Sequence, residues 1–247
     1  MDSSSLTFWD HLDELRGALL RMAAVVVGCS MLTFALKDEL FRLVLAPTQG
    51  SFLTYRLLGA TDFQLSLMNT GLTEQFMVHL RTSLYAAVLI TSPYWIFELM
   101  RFAWPGLYKA ERRVALAVVG SAYGMFIVGT LVNYLLIFPL TVRFLGTYQV
   151  SAEVANMLTL QSYIDTLLGM NLVMGLVFEL PVAAALLAKM GLLNSQMMSR
   201  YRRHAIVAIF VVAAIITPTT DAFTLTIVAL PIYALYEVSI LLVNNIK

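Results

Sequence analysis

The sequence is poor in the residues that catalysis and cofactor binding usually require. Only 13% of its 247 residues are charged, against about 25% in average globular proteins. It has three histidines, and none stands in a metal-binding spacing such as HExxH. A GxSxG elbow, a glycine-rich loop before a lysine and a catalytic dyad are all missing. We therefore expect no catalytic residue, no metal site and no cofactor, and we do not expect an enzyme.

The sequence has only one cysteine, and its net charge is small. The single cysteine, Cys29, excludes an intrachain disulfide. A net charge of +1 gives no reason to expect a nucleic-acid partner. Residues 1–16 are acidic and polar, so we expect neither a cleavable signal peptide nor an Arg-rich transit peptide there.

Long apolar runs dominate what remains. Hydrophobic residues make up 60% of the chain, and the mean hydropathy is +0.80. The runs are apolar on all sides, whereas the strands of a membrane barrel would alternate apolar and polar positions. The sequence therefore predicts an all-α polytopic membrane protein that forms one transmembrane domain over residues 1–247. Its six expected spans cover about 18–36, 82–100, 114–138, 164–188, 205–217 and 223–243.

The basic residues predict the orientation of these spans. With both termini on one side, that side receives eleven of the 16 Lys and Arg residues and the other side five. Cytoplasmic loops carry the excess of Lys and Arg, so both termini are expected in the cytoplasm. The last two spans are expected to be short. Ala205–Ile216 covers only about 18 Å of a hydrocarbon core of about 30 Å, and Asp221 and Glu237 bracket the sixth span. Thinning of the bilayer or re-entrant packing would accommodate them.

Glu179 lies near the middle of the fourth apolar run. A carboxylate at that depth costs roughly 2.5–3.5 kcal/mol on insertion-based scales, so such residues usually face a bundle interior, a wet cavity or a partner. Pro181 follows two residues later and is expected to bend the helix beside the acid. The alternative is a hydrogen-bonded Glu179 that only holds helices together.

Two acids interrupt the basic side of the protein. Glu14 lies before the first span and Glu111 before the third. Carboxylates in such places can accept directional hydrogen bonds from a guanidinium. Both acids also fall where a helix would begin, so stabilisation of a helix dipole explains them equally well. In the third span, Gly120 and Gly124 form a GxxxG pattern that permits close helix contact.

Several motifs together resemble one family. In order along the chain they match the HLxELR opening, the first cytoplasmic loop, the YxxxFPL block, the GxxFExPV block and the TP…D turn of TatC, the multi-spanning component of the twin-arginine protein translocase. The matching segments are 11–16, 102–113, 134–140, 175–182 and 217–221. Each motif alone is weak, but the five occur in order over nearly the whole chain.

The resemblance implies a binding site for the twin-arginine signal peptides of folded proteins. Glu14 and Glu111 correspond to the acids that help to recognise the arginine pair. Arg16, Phe102 and Arg113 are expected to be their neighbours on the same cytoplasmic surface.

The resemblance also implies roles away from that surface. Glu179 corresponds to an intramembrane acid that faces a concave cavity. Pro47 and Tyr134 occupy further positions that the family uses, and Asp221 lies in a region implicated in contacts with partners. The turn departs from the family's TPPD, and Leu225 stands where a Gln is frequent, which weakens the assignment of a polar partner contact there.

The implied function is export of folded proteins across the cytoplasmic membrane of a prokaryote, driven by the protonmotive force. The implied partners are TatA/TatB-like single-span proteins, signal peptides, further copies of the chain and membrane lipid. The rival hypothesis is a proton- or ion-coupled transporter of small solutes with Glu179 as the relay. Proton-driven uptake into liposomes that hold this chain alone would favour the rival.

Overall fold

The computed structural model describes residues 8–59, 64–103, 109–149, 151, 156–217 and 221–245. In residues 8–11, 103 and 109–114 it describes the backbone alone. The helices are α1 (Phe8–Ala35), α2 (Lys37–Val44), α3 (Leu53–Leu57), α4 (Glu74–Ala103), α5 (Lys109–Val132), α6 (Phe138–Thr147), α7 (Leu160–Val177), α8 (Leu180–Lys189), α9 (Ser195–Arg200), α10 (Arg202–Ile216) and α11 (Ala222–Asn244).

Shorter elements connect these helices. A 3₁₀ turn covers Ala46–Thr48, and a π-helical segment, Asn133–Ile137, joins α5 directly to α6. Two short strands, β1 (Leu67–Met68) and β2 (Leu158–Thr159), pair in parallel. The predicted all-α architecture is therefore confirmed, apart from this pair of strands in the described part of the loops.

Five helical segments of the described chain are long and apolar enough to cross a bilayer, namely Leu12–Ala35, Glu74–Phe102, Ala115–Thr147, Leu160–Lys189 and Ala222–Asn244. The fifth predicted span corresponds to α10, which has only 15 residues and is about 22 Å long. The prediction of a short sixth span is wrong, because α11 has 23 residues. Glu237 does not end this helix; it lies inside α11 and pairs with Arg202 at 2.7 Å.

The chain divides into two compact units, Met1–Phe41 with Phe76–Val119, and Arg42–Gln75 with Gly120–Lys247. In the first unit, the hydroxyl of Thr33 on α1 donates to the carbonyl of Ser83 on α4 at 2.9 Å. Pro93 lies inside α4 and cannot donate to the carbonyl four residues earlier. The hydroxyl of Ser92 donates to that carbonyl, Leu89, at 2.5 Å, and so satisfies a polar group that lipid could not.

In the second unit, α5 and α7 pack closely at two glycines. A Cβ on Gly129 would lie 2.7 Å from the carbonyl oxygen of Met174, and a Cβ on Gly175 would lie 2.6 Å from the ring of Phe126. The GxxxG pair predicted for close contact, Gly120 and Gly124, has no atom within 4 Å of such a Cβ in the described structure. Close helix contact therefore occurs further along α5 than the pattern indicated.

A buried acid joins the loops of this second unit. One carboxylate oxygen of Glu74 accepts hydrogen bonds from the backbone N–H groups of Thr70 and Gly71, at 2.9 and 2.8 Å. The other accepts from the N–H of Gln161, in the first turn of α7, at 3.0 Å. The carboxylate thus ties the beginning of α4 to the beginning of α7, beside the β1–β2 pair.

Candidate functional site

A cavity of about 190 Å³ lies between the amino-terminal half of α1 and the last turns of α4, within the first unit. We call it the acidic cavity. Three carboxylates and two guanidinium groups contribute to its wall. The lining residues are Asp13, Glu14, Gly17, Ala18, Arg21, Glu98, Arg101 and Phe102.

The acidic cavity already holds a guanidinium group. Glu98 is only 4% exposed, and its carboxylate accepts a hydrogen bond from Nε of Arg21, whose side chain is half exposed. Nη1 of Arg101 lies 3.8 Å from the other oxygen of Glu98. Buried charges are costly unless they are paired, so Arg21 makes the burial of Glu98 tolerable. A Cβ on Gly17 would lie 3.3 Å from Nη1 of Arg21, so this glycine leaves the guanidinium room against the helix.

The structure places two of the five predicted signal-peptide residues in this cavity. Glu14 and Phe102 both line it, the first exposed and the second half-buried. Arg16 is an exposed residue of α1 outside the lining. Glu111 and Arg113 belong to α5, but their side chains lie outside the described part of the chain.

Sequence reasoning missed the pair formed by Arg21 and Glu98. A usable signal was present, because Glu14, Gly17, Ala18 and Arg21 follow the i, i+3, i+4, i+7 spacing of one helix face. That spacing would have placed Arg21 on the same side of α1 as Glu14. Nothing in the spacing could have identified Glu98 as its partner, since the two residues are 77 positions apart.

Glu179 lies in a break between two helices. α7 ends at Val177 and α8 begins at Leu180, with Pro181 in its first turn. The predicted disruption beside the acid is therefore confirmed, and it takes the form of an interrupted helix. The side chain of Glu179 is half-buried, and its backbone carbonyl accepts from the N–H of Ala183 at 2.9 Å.

A second set of polar groups surrounds Pro47 in the second unit. The hydroxyl of Tyr134, in the π-helical segment, donates to the carbonyl of Leu43 at 2.6 Å. The hydroxyl of Tyr163, on α7, donates to the carbonyl of Val44 at 2.9 Å. Together with Tyr55 of α3, these residues form what we call the tyrosine network. It consists of Tyr55, Tyr134 and Tyr163 and the carbonyls that they contact.

Tyr55 is the centre of the tyrosine network. Its side chain is fully buried, and its hydroxyl lies 2.9 Å from the carbonyl oxygens of both Pro47 and Pro139. Burial raises the pKa of Tyr55 above its ordinary value, so the hydroxyl remains a hydrogen-bond donor. The resemblance named Pro47 and Tyr134, and the structure brings them into one network. The resemblance gave no indication that Tyr55 or Tyr163 would belong to this network.

Asp221 caps a helix. Its carboxylate accepts a hydrogen bond from the N–H of Thr224 at 2.8 Å, at the first turn of α11. This is the usual function of Asp at such a position. The residues before it, 218–220, lie outside the described part of the chain.

These features define a class of protein. Several helices of the described chain are apolar and have the length of membrane spans, and the charged groups described above are paired or lie near helix ends and breaks. The arrangement is that of a multi-pass membrane protein whose polar groups suit recognition rather than bond chemistry.

Comparison with known proteins gives the family. The sequence model of the Sec-independent protein translocase protein TatC matches residues 10–231. A TatC of Deinococcus radiodurans is 33% identical over 97% of this chain and 86% of its own length. A TatC of Helicobacter pylori strain 26695 is 34% identical over 96% of this chain and 87% of its own. The chain belongs to the TatC family.

A solved structure supports the same assignment. A crystal structure of the twin-arginine translocase receptor TatC matches with a TM-score of 0.71 and 28% identity, over 94% of this chain and 97% of that one. The resemblance drawn from the motifs is therefore confirmed. The chain is a multi-pass membrane component of a protein translocase, and neither an enzyme nor the solute transporter of the rival hypothesis.

Proposed function

We propose that this chain binds the twin-arginine signal peptides of folded proteins at the acidic cavity. The observation that carries the proposal is the guanidinium of Arg21 held by Glu98, beside Glu14 and Asp13. A wall that binds one guanidinium has the charge and the hydrogen-bond acceptors to bind another. Phe102 adds an aromatic surface on which a guanidinium can stack.

The remaining predicted residues extend this proposal. Glu111 is the third residue of α5, and we place it, with Arg16 and Arg113, on the same peptide-binding surface. The family membership supports this placement. Glu179, in the interrupted helix, is proposed to offer a polar contact on a concave face of the membrane domain.

The proposed topology is one transmembrane domain of six spans in the cytoplasmic membrane, with both termini in the cytoplasm. The distribution of basic residues, eleven against five, supports this orientation. α10 would be the fifth span. At about 22 Å it is some 8 Å shorter than the hydrocarbon core, so the bilayer would be thin around it.

The proposed transport reaction requires partners. TatA/TatB-like single-span proteins and further copies of this chain would assemble with it, and the protonmotive force would drive export. Asp221 and the beginning of α11 are a proposed contact for such partners. The cap that Asp221 provides for α11 supports a structural contribution as well.

Peptide binding by the purified full-length chain tests the proposal. A labelled twin-arginine signal peptide should bind, and the same peptide with both arginines replaced by lysine should bind much more weakly, because lysine cannot make paired contacts with a carboxylate. Glu14→Gln and Glu111→Gln should each weaken binding by an amount equal to one hydrogen bond to a charged group, about 1.5–3 kcal/mol.

A matched control is Glu39→Gln, which removes an exposed acid of α2 outside the cavity. It should leave binding unchanged. Equal affinity for the arginine and lysine peptides, or unchanged binding in a Glu14→Gln and Glu111→Gln double variant that folds normally, would disprove the proposed site.

A further inference from the structure

An apolar groove of about 360 Å³ lies along α8 and the second half of α11 in the second unit. Its walls are formed by α8 from Leu180 to Leu187, by two methionines of α9, and by Tyr236 and Ser239 of α11. Several of these side chains remain exposed, among them Leu180 at 43% and Met197 at 46%. The groove is thus an open apolar surface next to well-packed residues.

Two of the polar groups that line the groove, the hydroxyls of Tyr236 and Ser239, already have hydrogen-bond acceptors. The hydroxyl of Tyr236 donates to the carbonyl of Met198 at 2.8 Å. The hydroxyl of Ser239 donates to the carbonyl of Leu235 at 2.7 Å. A polar occupant would lose its hydration and would gain few hydrogen bonds from these groups in exchange. The groove therefore suits an apolar chain.

Basic residues flank the groove lining in the sequence, and we call them the basic rim. Residues 180–204 contain four Lys and Arg residues and no acid. Lys189 ends α8, two residues after the lining residue Leu187, and Arg200 directly precedes the lining residue Tyr201. Arg202 is paired with Glu237, and Lys189, Arg200 and Arg203 are exposed. An occupant with an anionic head would meet these positive charges.

The length of the groove distinguishes a lipid from a protein helix. From Leu180 to Leu187, α8 rises by about 10 Å, whereas the hydrocarbon of one leaflet is about 15 Å deep and that of the whole bilayer about 30 Å. A spanning helix of a partner would need a groove of twice this depth or more. Glu179 immediately precedes the groove on the chain but is not part of its lining.

The short helix α10 gives a reason for a bound lipid at this place. It follows Tyr201 directly and is about 22 Å long. A bilayer that meets so short a helix must thin locally, at a free-energy cost for each ångström of mismatch. An acyl chain that lies in the neighbouring groove, with its head drawn toward the basic rim, would relieve part of this mismatch.

From these observations we infer that the α8–α9–α11 groove is a binding site for an anionic phospholipid of the surrounding bilayer. One acyl chain lies in the groove, and the phosphate contacts Lys189 and Arg200. The inference does not depend on signal-peptide binding, because none of these residues belongs to the acidic cavity.

Native mass spectrometry of the purified full-length chain tests the inference. Palmitoyl-oleoyl phosphatidylglycerol and the corresponding phosphatidylcholine are titrated separately in a mild detergent. The wild-type chain should retain phosphatidylglycerol in preference to phosphatidylcholine. The Lys189→Gln/Arg200→Gln variant should bind phosphatidylglycerol at least about tenfold more weakly. It changes only exposed side chains, so it should fold normally. Lys37→Gln/Arg56→Gln, which also removes two exposed cations, should keep the preference.

A second pair of variants tests the groove itself. Ala183→Phe fills the lining with a ring and should lower retention of both lipids, whereas Ala185→Phe, outside the lining, should not. An unchanged phosphatidylglycerol preference in Lys189→Gln/Arg200→Gln would overturn the inference. So would loss of a co-purified single-span protein from Ala183→Phe with no change in the amount of bound lipid, since the groove would then be a docking site for a partner helix.

Discussion

The acidic cavity and the tyrosine network are both built from polar groups in an otherwise apolar protein, but they satisfy those groups in different ways. In the cavity, the buried carboxylate of Glu98 is paired with Arg21, a long side chain that is half exposed. In the network, the buried hydroxyls of Tyr55 and Tyr163 donate to backbone carbonyls of their own unit. The partner in the cavity is a side chain, whereas the partners in the network are carbonyls of the main chain.

If the acidic cavity binds signal peptides as proposed, its polar residues serve a ligand, whereas those of the network serve the fold. A neutral hydroxyl on a backbone carbonyl satisfies both groups permanently and contributes to stability. In the cavity, the half-exposed Arg21 can be solvated by water, but the buried Glu98 needs another cationic partner when Arg21 leaves, and a peptide guanidinium would be such a partner. We therefore expect substitutions in the cavity to change peptide binding more than stability, and substitutions in the network to do the opposite.

The largest effect is expected for Glu98→Gln. The variant loses the carboxylate that holds a guanidinium, so its affinity for a twin-arginine peptide should fall by roughly tenfold or more, as for loss of one hydrogen bond to a charged group. Fluorescence anisotropy of a labelled peptide measures the affinity. Arg21→Lys serves as a control, because it keeps the charge beside Glu98. If Glu98→Gln binds the peptide as the wild type does, Glu98 has only a structural function and the contrast with the network disappears.

A smaller effect, on stability alone, is expected for Tyr55→Phe. It leaves the buried carbonyls of Pro47 and Pro139 without this donor, which should lower the free energy of unfolding by about 1–3 kcal/mol. Thermal unfolding in detergent measures the change. Tyr148→Phe removes an exposed hydroxyl as a control. Peptide affinity should be the same in all three proteins. A loss of affinity in Tyr55→Phe would show that the network also serves the ligand.

The sequence predicted the helices and the isolated acids better than it predicted the partners of the buried polar residues. Apolar runs predicted the helices, because any helix that crosses the bilayer must be largely apolar, whichever helices it packs against. Glu14 and Glu179 could be found because charge is conspicuous in an apolar segment. Tyr55 and Glu98 could not, since their importance comes from partners 84 and 77 positions away.

Close packing and helix length illustrate the same limit. The GxxxG spacing of Gly120 and Gly124 is a local pattern, whereas contact at Gly129 depends on the residues that α7 presents to it. The position of Glu237 suggested a short sixth span. The acid is instead accommodated within α11 by Arg202 and by the hydroxyl of Tyr233, at 2.7 and 2.9 Å. Such compensation depends on tertiary structure and cannot be read from spacing.

The length of α10 provides a third test, which measures export instead of peptide affinity or stability. Inserting four leucines within Ala205–Ile216 lengthens the helix by about 6 Å and removes most of its mismatch with the bilayer. The variant should still insert into the membrane but export less of a folded twin-arginine reporter, because the thinned bilayer around α10 would be lost. Export is compared at equal membrane levels. Full export by the longer helix would show that its shortness has no function.

Glu179 lies in an interrupted helix and belongs to neither the cavity nor the network. Its substitutions therefore test whether a polar group outside both contributes to transport. Its side chain is half-buried, and the fourth apolar run offers no cation before Lys189, ten residues away or about 15 Å along a helix. If Glu179 acts as a polar docking point, hydrogen-bonding capacity matters and titration does not. Gln preserves that capacity, Ala removes it, and Lys introduces the opposite charge. Glu179→Gln should therefore retain most of the export of a folded twin-arginine reporter, Glu179→Ala should lose part of it, and Glu179→Lys should lose most. All variants are compared at matched membrane levels. If Gln is as damaging as Lys, the carboxyl must gain or lose a proton during transport, and Glu179 would then be a titrating group rather than a docking point.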